Sequence, residues 1–127
     1  MENLKQVVSR LSAVFLPNAV RNQSFFLNDV PADISIESSP QYITPVMSRL
    51  IAAMVRHVSD ACIRFTAKKQ GHVIVLEMHE TGHVDGFAMA SELQQVNALA
   101  ETIGGRLSIA IPRSKTTSIA FSFPDNR

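Results

Sequence analysis

Residues 79–83, with the sequence HETGH, carry side chains that could do chemistry. Their spacing fits the zinc pattern H-E-x-x-H, in which two histidines on one helix face bind the metal and the glutamate acts as general base toward zinc-bound water. The preceding residues 72–76 (HVIVL) are rich in β-branched side chains, so His79 is predicted to end a strand. Two histidines on a strand would not form that pair. We therefore keep a small zinc hydrolase using His79, Glu80 and His83 only as a minor hypothesis for the function.

The C-terminal third, residues 91–124, predicts a helix, a double glycine and two strands. Ser91 and Gln94 have capping-box spacing at the start of the helix. Apolar residues then recur on one helical face: Leu93, Val96, Ala100 and Ile103. Gly104-Gly105 is predicted to end the helix, because glycine enters the left-handed region at little cost. Residues 106–111 and 117–123 alternate as strands.

The N-terminal half predicts two helices and two short strands. Apolar residues with helical spacing run from Leu4 to Phe15, and Pro17 is predicted to close that helix. Strands are predicted at residues 24–27 and 34–37. A long helix then starts at Ser39-Pro40 or at Thr44-Pro45, since proline is favoured in the first turn.

The middle of the chain predicts a β-hairpin and then a short loop over residues 80–89. The two strands, residues 61–68 and 73–78, are joined by Lys69-Gln70-Gly71. Both are apolar on both faces near their centres, which predicts that they lie inside a covered sheet. The order of elements favours an α/β (α+β) two-layer sandwich, with three helices packed on one face of a mixed sheet.

Several apolar and sulfur-containing side chains are predicted to pack in the core rather than to bind a ligand. Cys62, in an apolar strand, is interpreted as an inert core thiol. The remaining members of this group are Met47, Met54, Met78, Phe25, Phe26, Phe65, Phe87, Phe121 and Phe123.

Length and composition limit the classes of function. The 127 residues are predicted to form a single domain spanning residues 1–127, which can bury one core without disulfides or metal. The net charge of +1 and the lack of a basic block argue against nucleic-acid binding. Cys62 is the only cysteine, so an internal disulfide is excluded and a reducing compartment fits. No apolar run suits membrane insertion or a signal peptide, and we expect a cytoplasmic location.

The ending helix-GGR-strand-TTS-strand-P resembles the last third of the ATP-binding domain of sensor histidine kinases, the Bergerat-fold ATPases. The N-terminal section adds a second similarity to the kinase pattern N-x-V-P-x-D-x-x-I, here Asn28, Val30, Pro31, Asp33 and Ile36. The resemblance covers nearly the whole chain. It implies the histidine-kinase ATPase fold, ATP with magnesium as cofactor, and a role in two-component signalling. The partners it implies are a response regulator or a helical phosphoacceptor domain.

The family's magnesium-binding asparagine lies in a helical motif resembling N-L-L-x-N-A-x-K-H, which residues 49–57 (RLIAAMVRH) match in part. Arg56 and His57 match the basic end, but Ala53 stands where the asparagine would be. Magnesium requires oxygen ligands, and alanine supplies none. The alternative for Arg56 and His57 is a solvated helix end, where cations are favoured.

The family's adenine-binding aspartate-x-glycine is matched by Glu80-Thr81-Gly82, one methylene longer. A glutamate could still accept a hydrogen bond from the adenine amino group if the pocket has shifted. The alternative is that Glu80 is exposed in a loop. Ser118 stands where the family has an adenine-side threonine, with Thr117 beside it, and the alternative for both is an ordinary sheet residue.

The family's glycine-rich lid, whose backbone N–H groups cradle phosphates, corresponds to residues 82–91. This segment is short and contains only Gly82 and Gly86 as glycines. Asp85 and Glu92 would repel a triphosphate there. This departure counts most heavily against ATP hydrolysis or phosphoryl transfer.

Two hypotheses from different classes follow. The first is a functional ATP-binding domain of a sensor histidine kinase, which would deliver ATP to a phosphoacceptor histidine on a separate helical domain. The second is a degenerate relative that serves as a docking or regulatory module with weak or no ATP binding. Ala53, Glu80 and the short lid favour the second. Because no phosphoacceptor histidine in the family's helical context is present, the isolated chain is not expected to autophosphorylate.

Overall fold

A computed structural model describes residues 2–37, 40–110 and 117–125, apart from the side chain of Pro40. Its helices are α1 (Leu4–Arg21), α2 (Pro40–His57) and α3 (Gly86–Glu101). Its strands are β1 (Glu2–Asn3), β2 (Phe25–Asn28), β3 (Ser35–Ile36), β4 (Val58–Ser59), β5 (Cys62–Gln70), β6 (Val73–Glu80), β7 (His83–Val84), β8 (Arg106–Ala110) and β9 (Thr117–Pro124). Ser39 and residue 111, parts of two predicted elements, lie outside the described residues.

Five strands form a mixed sheet in the order β2-β5-β6-β9-β8. β2 and β5 run parallel, with Phe25 beside Cys62, and the other neighbours in this sheet are antiparallel. Two short antiparallel pairs, β1–β3 and β4–β7, lie outside it. The three helices cover the face of the sheet on which the side chains of β6 and β9 are buried. The predicted two-layer α+β sandwich is confirmed.

Helix α1 extends past Pro17, so the prediction that proline ends it is wrong. The proline removes one backbone hydrogen bond to residue 13, whose surroundings are exposed and can hydrate the freed carbonyl. Tertiary contacts hold the extra turn. Ala19 is fully buried, and the Asn22 side-chain amide donates to the Val55 carbonyl oxygen at 2.9 Å.

Strands β5 and β6 form the predicted hairpin, with Gly71 in the left-handed region at a φ of 61°. The prediction that both faces are covered is wrong. Phe65 and Leu76 point into the core, whereas the outward-facing Arg64 is exposed. Cys62 is partly exposed, so it is not a core thiol. A one-sided sheet tolerates apolar outward residues because isolated surface apolar side chains cost little.

The segment predicted as a loop over residues 80–89 is mostly ordered into regular structure. β7 pairs with β4, and α3 begins at Gly86 with Asp85 as its N-cap. The Asp85 carboxylate accepts from the Ala88 N–H at 3.1 Å, and the buried Met89 packs the first turn on the core. Ser91 therefore lies inside the helix and does not cap it. Asp85 is an equally good cap, and the burial of Met89 selects it.

Most of the predicted core residues are buried. The largest fully buried side chains include Phe65, Phe121, Phe123, Met47, Met54, Leu50 and Ile51. Met78 is also buried, as predicted, but the prediction is wrong for Phe25 and Phe87, which are exposed. Within the described ranges, the three helices are each too short or too polar to span a bilayer.

Candidate functional site: the cleft between α2 and α3

A cleft of about 690 Å³ lies between α2 and α3. α2 contributes Arg49, Ala52 and Arg56, whose spacing of three and four residues puts them on one helix face. α3 contributes polar side chains at Ser91, Glu92 and Gln95. His57, at the end of α2, and Phe87, in the first turn of α3, also line the cleft.

An ion-pair cluster crosses the cleft and joins the two helices. The Glu92 carboxylate accepts from one nitrogen of the Arg56 guanidinium through both oxygens, at 2.6 and 2.7 Å. The Nε2 atom of His57 lies 2.9 Å from Glu92 Oε1. Arg56 and His57, the two basic residues that the sequence singles out, are therefore brought together on one carboxylate. We name these three residues the Arg56–Glu92–His57 cluster.

The cluster lowers the pKa of Glu92. Burial raises this pKa, but hydrogen bonds from His57 and Arg56 and the positive charges of both residues lower it by more. The net result is a pKa below the ordinary value of 4.5. The ionised carboxylate is thus the form that the folded protein favours.

This pKa shift predicts a pH-dependent stability difference between the wild type and Glu92→Gln. A carboxyl whose pKa is depressed on folding contributes stability above its unfolded pKa and loses it as the pH falls through the folded pKa. We expect Glu92→Gln to lower the free energy of unfolding by about 1 kcal/mol near neutral pH. Below the folded pKa of Glu92 the two proteins should become equally stable. Urea unfolding of both proteins at a series of pH values, from about pH 7 down through the acid range, measures the difference, and a gap that does not narrow as the pH falls would contradict the prediction.

Ala53, at the position that the resemblance assigns to magnesium binding, is fully buried and does not line the cleft. Its neighbour Ala52 does. Neither side chain carries an oxygen, so the α2 face of the cleft offers no metal ligand at this point.

Glu80, at the position that the resemblance assigns to adenine binding, is 0% exposed. The alternative of an exposed loop residue is wrong, because β6 continues to Glu80 and directs its side chain into the core. Oε2 accepts from the Gly82 N–H at 2.7 Å. Among the described residues, Oε1 has no hydrogen-bond partner. Glu80 does not line the cleft between α2 and α3.

The remaining residues of the resemblance divide between the two faces of the sheet. Thr117 pairs with Glu80 across β6 and β9 and is buried on the same face. Ser118 faces the other side, where its Oγ lies 2.9 Å from His79 Nδ1. Gly82 lies between β6 and β7, and Gly86 is the first residue of α3.

The arrangement of His79 and His83 differs from the zinc pattern. His79 lies in β6, as predicted, and His83 lies in β7, so no helix carries the two together. Within residues 2–37, 40–110 and 117–125, no three His, Cys, Asp or Glu side chains are grouped to hold a metal ion.

The role of Glu92 as a partner of Arg56 and His57 is not predicted from the sequence, where Glu92 counts only as a negative charge that would repel a ligand. The available signal was the opposite charge of Arg56 and Glu92, but 36 residues separate them and no local spacing relates them. Phe87, which is 90% exposed beside the cleft, was also missed because an isolated phenylalanine usually indicates core.

Solved structures with similar folds include histidine kinases. The Acinetobacter baumannii histidine kinase AdeS matches with a TM-score of 0.81 and 13% identity, over 99% of this chain and 66% of that chain. A nucleotide-free catalytic domain of histidine kinase ThkA matches with a TM-score of 0.75 and 12% identity, over 99% of this chain and 97% of that one. Histidine kinase ThkA in complex with response regulator TrrA matches with a TM-score of 0.73 and 14% identity, over 98% of this chain and 41% of that one.

No protein-family model matches the sequence, and no curated protein matches it significantly. The chain spans about two thirds of the AdeS chain and nearly the whole isolated ThkA catalytic domain. At such low identity the likeness establishes the fold. The resemblance noted from the residues is confirmed at that level, and the chain has the histidine-kinase-like ATPase fold.

Proposed function

We propose that this chain is a histidine-kinase-like ATPase domain of two-component signalling with weak or no ATP binding, which acts as a docking or regulatory module. The observation that carries the proposal is the Arg56–Glu92–His57 cluster in the α2–α3 cleft. The two basic residues that would face a triphosphate are already occupied by a carboxylate of the same chain.

Electrostatics supports weak nucleotide binding. A triphosphate would have to displace a carboxylate held by an arginine and a histidine, and charge-assisted contacts of this kind are among the stronger hydrogen bonds in proteins. If Glu92 stayed in place, its charge would repel the phosphates. Ala52, which lines the cleft, supplies no ligand that could hold magnesium and offset this repulsion.

A response regulator is the partner that we propose, and a cytoplasmic location follows from it. The support is the fold, together with the structure of histidine kinase ThkA in complex with response regulator TrrA. A helical phosphoacceptor domain is a second proposed partner. Calorimetric titration with the purified receiver domains of response regulators from the same organism tests the docking role, and the absence of binding to all of them would contradict it.

An ATP-binding function is the second candidate, and one observation favours it. Glu80 Oε1 is buried without a partner among the described residues, and buried polar atoms of this kind often have a functional reason. An amino group such as that of adenine is a donor that could satisfy it, provided that the surrounding side chains move.

Magnesium-ATP at millimolar concentration is expected to leave the thermal unfolding temperature of the wild type unchanged.

Ala53→Asn should not create nucleotide binding, because this position is buried away from the cleft. Instead it should lower the free energy of unfolding by about 2 kcal/mol, since it adds volume and an amide to the core. Ala52→Asn is the matched control: it adds the same group at a partly exposed position in the cleft and should cost about 0.5 kcal/mol or less.

Differential scanning fluorimetry with and without magnesium-ATP measures the change in unfolding temperature that the nucleotide causes. Urea unfolding measures the free energies of Ala53→Asn and Ala52→Asn. A wild-type shift of several degrees that Glu80→Ala abolishes would favour the ATP-binding candidate and reject the proposal.

A further inference from the structure

We infer that Glu92 is an internal anion that fills a latent oxyanion site in the α2–α3 cleft, and that removing its carboxylate lets this site bind inorganic tripolyphosphate without a metal ion. The inference rests on the proposed function, because it explains how the cleft is kept from phosphates. To that function it adds a class of ligand, inorganic oxyanions, and the way in which Glu92 keeps them out of the cleft.

The donors in the cleft suit an oxyanion. An arginine nitrogen contacts both Glu92 oxygens and a histidine nitrogen contacts one of them, so three polar contacts converge on a single carboxylate. Arginine and histidine both present N–H donors. Phosphate oxygens accept hydrogen bonds from these donors as well as carboxylate oxygens do. Ser91 and Gln95 line the same cleft and add a hydroxyl and an amide.

The charge of the cleft also favours an added anion. Arg49 lines the cleft and has no ion-pair partner among the described residues. Two arginines and one carboxylate among the lining residues give a net charge of +1, before any charge on His57 is counted. Removing the carboxylate raises this charge to +2 and leaves two donors unpaired.

Access to the site depends on Arg56. Its side chain is 61% exposed, whereas the side chains of Glu92 and His57 are 24% and 16% exposed. An incoming anion can therefore contact Arg56 from solvent, but it meets His57 only after Glu92 withdraws. No carboxylate other than Glu92 lines the cleft within the described residues, so once Glu92 is replaced the site has no acidic group to bring in magnesium.

Isothermal titration calorimetry with sodium tripolyphosphate in the presence of a chelator tests the inference. We expect Glu92→Gln to bind about tenfold or more tightly than the wild type, at low and fixed ionic strength. Glu101→Gln is the matched control, because it removes the same charge from the exposed end of α3, outside the cleft. It should bind like the wild type. Adding Arg56→Gln to Glu92→Gln should remove the gain.

Equal affinities for the wild type and Glu92→Gln would overturn the inference. An equal gain in Glu101→Gln would also overturn it, since net charge alone would then explain the binding. If Glu92→Gln does not fold, Glu92→Ala carries the same test. The magnesium-ATP titration of the wild type tests the proposed function separately, so either statement can fail while the other stands.

Discussion

Gly82→Ala is expected to lower the free energy of unfolding by about 3 kcal/mol, because the added methyl group has no room. A Cβ at this position would lie 2.7 Å from both Cα and Cβ of Ala61, and closer still to the Ser59 carbonyl oxygen. Two of these three atoms belong to backbone, which cannot rotate away as a flexible side chain can. The clash would also displace the Gly82 N–H from Glu80 Oε2.

Gly71→Ala provides the matched control for this prediction. Gly71 lies in the hairpin turn at a φ of 61°, and a Cβ there meets nothing within 4 Å. Its substitution should cost only the backbone strain of a left-handed alanine, about 1 kcal/mol. Urea unfolding of the two variants gives both values. Equal losses would show that close approach at Gly82 is not what requires glycine.

Asp125→Ala is expected to cost about 3 kcal/mol, because it breaks a buried charged contact. Asp125 is 0% exposed and follows β9. Its carboxylate accepts from the Glu37 N–H through both oxygens at 3.0 Å and lies 3.0 Å from Lys69 Nζ. It therefore joins the chain after β3 to the end of the main sheet. The substitution leaves the partly buried Lys69 ammonium without this partner.

Asp29→Ala is the control for that experiment. Asp29 forms an ion pair of 2.6 Å with Arg64, but the two side chains are 41% and 51% exposed. Exposed pairs contribute little, so the expected loss is about 0.5 kcal/mol. Chemical denaturation at neutral pH compares the two variants. A loss at Asp29 as large as that at Asp125 would contradict the argument from burial.

These contacts show that the residues that stabilise the fold are different from the residues that line the cleft. The atoms that hold the sheet and the small strand pairs together are closely packed around Gly82 and Asp125. The cleft, by contrast, contains a carboxylate bound to Arg56 and His57 and no oxygen ligand at Ala52. The proposed docking role needs only the closely packed frame, since docking depends on shape and surface rather than on a bound triphosphate.

Local patterns predicted the elements wherever one signal was unopposed. The stripe of α2, the hairpin of β5 and β6, and the glycine pair after α3 each follow from periodicity or turn chemistry. Predictions failed where two local signals competed. Asp85 and Ser91 could both cap α3, and only the packing of Met89 against the core distinguishes them. Pro17 signals a helix end, but the buried Ala19 holds another turn in place.

The sequence by itself determined the order of the three helices and of strands β2, β3, β5, β6, β8 and β9, the two-layer architecture and the absence of a side-chain oxygen at Ala53, because residue type and spacing are local properties. The tertiary structure decided the state of the site. It buried Glu80 with one oxygen unpartnered among the described residues, turned Thr117 rather than Ser118 toward the core, and brought Glu92 onto Arg56 across 36 residues. Such contacts depend on how two helices lie against each other on the sheet, and no spacing along the chain encodes that distance.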